Sequence, residues 1–182
     1  MRTPQVAVIG NARLKQPEHV ALAQSVGRLL AENGYNLVCG GLGGVMLESC
    51  RGFKTIESPG RTVGILPSFQ AASANDFIDI VIPTGLDVGR NQLVVASGFA
   101  VVVIGGGAGT LSEIALASQI NKPIILLKKT GGWADKLTDE HLDERCNSRL
   151  YHAQNLGQLK QLLAQLTTQQ NLTGTINSGH NR

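Results

Sequence analysis

Ala100-Val101-Val102-Val103-Ile104 is an unbroken apolar run, and Gly105-Gly106-Gly107-Ala108-Gly109 follows it directly. Small and β-branched apolar residues in succession fit a strand covered on both faces, which demands a parallel sheet packed between helices. Four glycines in five positions then leave the backbone bare where that strand hands over to a helix, predicted for residues 110–119. The arrangement recurs earlier. A strand at residues 36–39 runs into Gly40-Gly41-Leu42-Gly43-Gly44, and a helix follows over residues 45–56.

Further strand signals occupy residues 5–10, 62–66, 79–82 and 123–127. Pro17 opens a helix whose Val20, Ala23, Val26, Leu29 and Leu30 recur at helical spacing, and Asn33-Gly34 ends it. Residues 88–98 fit helix or strand. Residues 68–77 and 131–133 read as loops, and the acidic stretch 135–144 as a solvated loop or helix face. A last amphipathic helix is predicted over residues 155–166. Alternating strands and helices predict an α/β fold: a doubly wound, mostly parallel sheet flanked by helices. Residues 1–166 read as one domain, and the Thr-, Gln- and Asn-rich residues 167–182 as a disordered tail. Only 4% of residues are aromatic, so Val, Ile, Leu and Ala must build the core. Glycine takes 22 of 182 positions without a third-residue period, which excludes a collagen repeat.

The formal charge is +3, and the basic residues form no run. A duplex-binding domain carries a clustered basic patch, so nucleic acid is not an expected partner. No apolar stretch reaches membrane-spanning length and no signal peptide opens the chain, so a cytoplasmic protein is expected. Cys39, Cys50 and Cys146 are widely spaced, and His19, His141, His152 and His180 show no ligand spacing, so no metal site is expected.

In a doubly wound sheet, ligands bind beyond the carboxyl ends of the strands. The unusual residues collect there: Gly10, Asn11, the glycines at 40, 41, 43 and 44, Arg90, Asn91, and Gly105, Gly106, Gly107 and Gly109 with Thr110 and Glu113. A glycine loop opening a helix is either a close strand–helix contact or a phosphate cradle lined by backbone N–H groups. It is no standard nucleotide motif. No GK[ST] follows for a Walker loop, and Thr110 stands where G-x-G-x-x-G needs its third glycine, so neither NAD nor ATP is expected. Thr110 and Glu113 match a capping box, yet Glu113 in the first turn also fits a carboxylate facing a bound sugar. Arg90 fits a surface arginine or a bidentate anion clamp, with Asn91 beside it. Met46 fits the core better than a contact.

Residues 105–113, Gly-Gly-Gly-Ala-Gly-Thr-Leu-Ser-Glu, resemble the PGGxGTxxE signature of the LONELY GUY superfamily, once misnamed lysine decarboxylases. Gly40-Gly41 through Met46 resembles its GGxxGxM segment, and Arg90 falls at the spacing of the arginine in its MHxRK segment. The resemblance covers residues 5–130. Gly105 replaces the proline of the plant-type enzymes, and residues 87–91 read Asp-Val-Gly-Arg-Asn in place of MHxRK. Ile82-Pro83-Thr84-Gly85-Leu86, Gly89-Arg90-Asn91, the 105–113 loop and Thr130-Gly131-Gly132-Trp133 are instead similar to the molybdenum cofactor carrier subfamily. That resemblance implies a Rossmann-like homo-oligomer, dimer or tetramer. It would bind, protect and carry the phosphate-bearing molybdenum cofactor (molybdopterin), with molybdoenzymes as acceptors. The enzyme branch implies an alternative, cleavage of nucleoside 5′-monophosphates of the cytokinin or AMP type to base and ribose 5-phosphate. Only in that case are Arg90 and Glu113 catalytic.

Overall fold

Strand β1 (Gln5–Gly10) takes the middle of a seven-stranded sheet, and Val6, Ala7 and Val8 are fully buried there. The computed structural model describes residues 3–143 and 147–177. After β1 come α1 (Pro17–Glu32), β2 (Asn36–Cys39), α2 (Val45–Phe53), β3 (Thr62–Leu66) and β4 (Ile80–Pro83). Then follow α3 (Arg90–Ser97), β5 (Ala100–Ile104), α4 (Ala108–Gln119), β6 (Ile124–Leu127), the short α5 (Gly132–Lys136), β7 (Leu150–Ala153) and α6 (Leu156–Asn177). Every pairing is parallel, in the order β4-β3-β2-β1-β5-β6-β7. This is the doubly wound α/β sheet the alternation predicts. The order reverses at β1, so the crevice between the carboxyl ends of β1 and β5 is the natural ligand position.

Each strand feeds two cores, because successive side chains point to opposite faces. Val6 and Val8 join the core under α1, α2 and α6, whereas Ala7 and Ile9 join the one under α3, α4 and α5. α1 and α2 approach almost backbone to backbone. A Cβ on Gly27 would stand 2.7 Å from the Phe53 nitrogen, and one on Gly52 would stand 2.5 Å from the Gln24 Cα. Part of the glycine excess therefore serves helix packing, not a ligand.

Several boundaries differ from the sequence reading. Residues 88–98 resolve into a 3-10 turn (Asp87–Gly89) and α3, which returns the chain from β4 to β5 with Val94 and Val95 buried against the sheet. β7 has no counterpart in the sequence reading, since Leu150–Ala153 lacks an apolar run and is defined by its pairing with β6. The 131–133 loop gives way to α5. The 135–144 stretch is mostly exposed, and residue 144 lies outside the described residues. α6 does not stop at Leu166 but continues to Asn177. Its extension is anchored where the Tyr35 and Thr167 hydroxyls hydrogen-bond at 3.0 Å. The tail expected from residue 167 is thus helical to Asn177, and residues 178–182 lie outside the described residues, as does Cys146.

The strand portion of the apolar 92–104 stretch lies wholly inside the sheet. Apart from Ile120 at the end of α4, the exposed large apolar side chains among the described residues (Phe69, Ile80, Ile82, Leu86, Val88 and Leu93) come from the edge strand β4 and its flanking segments.

Gly27→Val would force α1 off α2. Overpacking of this kind costs about 1–3 kcal/mol or more. Urea denaturation should show a clearly lowered midpoint, and an unchanged midpoint would contradict the backbone contact.

Candidate functional site

A cavity of about 280 Å³ opens beyond the carboxyl ends of β1 and β2, at the reversal point of the sheet. Gly10, Asn11, Ala12 and Arg13 enter it from the β1 exit, and Gly40 from the β2 exit. Arg90 and Asn91 reach it from the start of α3, and Gly107, Gly109, Thr110 and Glu113 from the start of α4. Topology thus gathers residues scattered over a hundred positions.

The second glycine loop divides into two parts with different tasks. The Gly105 N–H donates to Thr130 Oγ1 at 2.8 Å, and the Gly106 N–H donates to Asn11 Oδ1 at 2.9 Å. Gly106 has φ +113°, and a Cβ there would stand 2.6 Å from the Thr110 methyl, so only glycine fits. These two residues pin the loop and leave no amide for a ligand. Gly107, Ala108 and Gly109 are instead exposed, and a Cβ on Gly107 or Gly109 would meet nothing within 4 Å. No side chain caps α4. The amides of Ala108, Gly109 and Thr110 therefore lack intrahelical partners and carry the helix's positive end into the cavity.

The capping-box reading fails. Gly107 is the N-cap, and Thr110 lies inside the first turn, where its hydroxyl donates to the Gly10 carbonyl at 3.1 Å. Glu113 faces Arg90 instead. The Arg90 Nη1 donates to Glu113 Oε1 at 3.2 Å, and the two side chains are only 11% and 10% exposed. The Arg90 guanidinium lies directly over Gly40, where a Cβ would stand 2.6 Å from Nη1. Its Nε is buried and has no hydrogen-bond partner among the described residues. Arg90 opens α3, where a helix dipole disfavours a cation. Burial pushes the Glu113 carboxyl up to about 7, against the pull of the guanidinium, which works to lower it. Asn91 is also buried, and its Nδ2 donates to Ser112 Oγ at 2.9 Å, tying α3 to α4.

Among the residues singled out from sequence, Gly10, Asn11, Gly40, Arg90, Asn91, Gly107, Gly109, Thr110 and Glu113 share this cavity wall. Gly41, Gly43, Gly44, Gly105 and Gly106 do not line it. Gly44 begins α2 against the backbone of Asn11 and Ala12, a packing task. Met46 both joins the core and touches the cavity. Arg13 is an addition that sequence reasoning missed. Its signal was available, as the first basic residue after the β1 exit. Cys39 and Cys50 are buried free thiols 3.7 Å apart. Among the described residues no group of three or more His, Cys, Asp or Glu is gathered, and no helix is long and apolar enough to cross a membrane.

This geometry defines a Rossmann-like α/β protein with a polar cavity at its topological switch point. The chain belongs to the SLOG cluster4 family, whose model matches residues 3–163. A protein of Archaeoglobus fulgidus is 42% identical over 128 residues, which are 70% of this chain and 82% of that one. The molybdenum cofactor binding protein of Rippkaea orientalis superposes with a TM-score of 0.79 at 34% identity, over 92% of this chain and 99% of that one. The molybdenum cofactor carrier protein of Chlamydomonas reinhardtii gives 0.77 at 30% identity, over 91% and 99%. The resemblance first carried by short motifs thus extends over nearly the whole fold.

The raised Glu113 carboxyl has a defined consequence for stability. Between pH 4.5, its ordinary value, and about 7, the folded chain holds a proton there that the unfolded chain releases. Stability from this group therefore falls as pH rises through that window. Glu113→Gln removes the dependence, so its stability relative to wild type should rise by on the order of 3 kcal/mol from pH 4 to pH 8. Urea titrations of both proteins check this. A difference that stays constant with pH would contradict the buried proton.

Proposed function

We propose that this protein binds and protects molybdenum cofactor and carries it to molybdoenzymes, with the phosphate of the pterin seated at the start of α4. One observation carries the reading. The uncapped start of α4, through Gly107, Gly109 and Thr110, lines the same cavity as Arg90, whose buried Nε has no partner among the described residues. An orphaned guanidinium N–H beside free helix-start amides fits a phosphate dianion, which accepts several charge-assisted hydrogen bonds. The similarity to cofactor binding and carrier proteins supports the choice of ligand. Asn11 and Gly10 shape the floor, and Gly40 gives the guanidinium its room.

A carrier must release its cargo, and the Arg90–Glu113 pair suits that need. Phosphate and carboxylate compete for one guanidinium, so capture costs part of an existing ion pair and affinity stays moderate. On this reading the protein works in the cytoplasm as a homo-oligomer, a dimer or tetramer.

Glu113 also favours a second reading. A buried carboxyl near neutrality on the cavity wall has the character of a group that handles a ribose in N-glycosidic cleavage. That reading is a phosphoribohydrolase acting on nucleoside 5′-monophosphates.

Two measurements separate these readings. Gly109→Val should fold normally and weaken cofactor binding at least about tenfold, the worth of a lost charge-assisted hydrogen bond. Incubation of wild-type protein with AMP should release no significant free base. Unchanged cofactor binding by the variant would remove the phosphate assignment. Efficient base release that disappears in Glu113→Ala would replace the carrier with the hydrolase.

A further inference from the structure

A second cavity, of about 350 Å³, adjoins the first, and Asn11 and Arg13 line both. Its other walls are Lys15 and His19 at the entry to α1, and Thr130-Gly131-Gly132 after β6. The first cavity takes Gly40 from the β2 side, and the second takes Thr130 from the β6 side. Together they straddle the exit of β1, the strand at which the sheet reverses. Open α/β sheets bind two-part ligands across this crevice, one part on each side.

Asn11, Gly106 and Gly132 pack closely beside the two cavities. Asn11 holds the Gly106 amide, and a Cβ on Gly132 would stand 2.7 Å from that same nitrogen. Gly131 is open, with nothing within 4 Å of a Cβ. The lining of the second cavity carries Arg13, Lys15 and His19 and no acid. None of these three side chains has an ion-pair partner among the described residues. Asp135, the acid of the adjoining turn, is occupied by the Lys129 and Gly131 amides, each at 2.7 Å. α1 begins here with Pro17, which has no N–H, and Glu18 in its first turn, so the positive charge of the second cavity rests on the three side chains and not on the helix start.

We infer that the second cavity holds the distal half of a diphosphate-linked ligand: a dinucleotide form of the pterin, in which a nucleoside monophosphate is joined to the pterin phosphate. The inference rests on the carrier reading and names the form of cofactor that the site prefers. Arg13, common to both cavities, bridges the two phosphates. Lys15 and His19 face the second, and Leu14, also in the lining, supplies apolar surface for the nucleoside.

Calorimetric titration with the pterin cofactor and with its guanine dinucleotide form tests this on the intact chain. Wild-type protein should bind the dinucleotide form about tenfold tighter or more, the gain from one additional charge-assisted contact. Lys15→Ala/His19→Ala, which alters only the second cavity, should abolish that gain and leave affinity for the mononucleotide-free form unchanged. Equal wild-type affinities, or a gain that survives the double substitution, would overturn the second subsite. Failure of wild-type protein to bind either form would overturn the carrier reading itself.

Discussion

The hydrogen bonds that consume the Gly105 and Gly106 amides determine what the site can be. Thr130 holds one from the β6 side, and Asn11 holds the other from the β1 side. The strand-to-helix turn after β5 is thereby fixed, and α4 must point its first turn into the crevice. Thr110 adds a third tie to Gly10. With the loop pinned by its first two glycines, the next residues are free of structural duty. Their amides are a preorganised cation equivalent that needs no rearrangement to meet an anion. An anion cradle here is the product of that pinning, not of glycine content as such.

Electrostatically the crevice is poised, not saturated. Arg90 stands at a helix start, where its charge is disfavoured, and Glu113 offsets it. Burial in turn pushes the carboxyl towards neutrality, so the offset weakens as the pH falls. Such a pair leaves Arg90 available to a stronger anion. The same two residues would be the natural catalytic pair if a ribose were presented to them.

Much of this architecture was legible in the sequence. Apolar runs broken by glycine loops are read locally, so β1, β2, β3, β5 and most of the helices stood where expected. The carboxyl-edge rule then placed Arg90 and Glu113 together without knowledge of any contact. What stayed hidden depends on neighbours distant in sequence. β7 exists because β6 pairs with it, and α6 extends because Thr167 finds Tyr35 across the fold. Likewise, the chain shows glycines at 27, 40, 52, 105 and 107 alike. Only packing reveals that Gly27 and Gly52 seat helices, Gly40 makes room for a guanidinium, Gly105 pins a loop and Gly107 is open. The capping-box pattern misled for the same reason, since the N-cap of α4 is Gly107, three residues before Thr110.

The central claim is that an anion docks on the first turn of α4 and draws on Arg90. Amide and guanidinium chemical shifts, followed by NMR during titration with the pterin cofactor, address it directly. The account predicts the largest changes at the amides of Ala108, Gly109 and Thr110 and at Arg90 Nε, with Gly105 and Gly106 nearly unmoved because their amides are already bonded. Shifts centred elsewhere, with those three amides and Arg90 Nε unchanged at saturation, would contradict it.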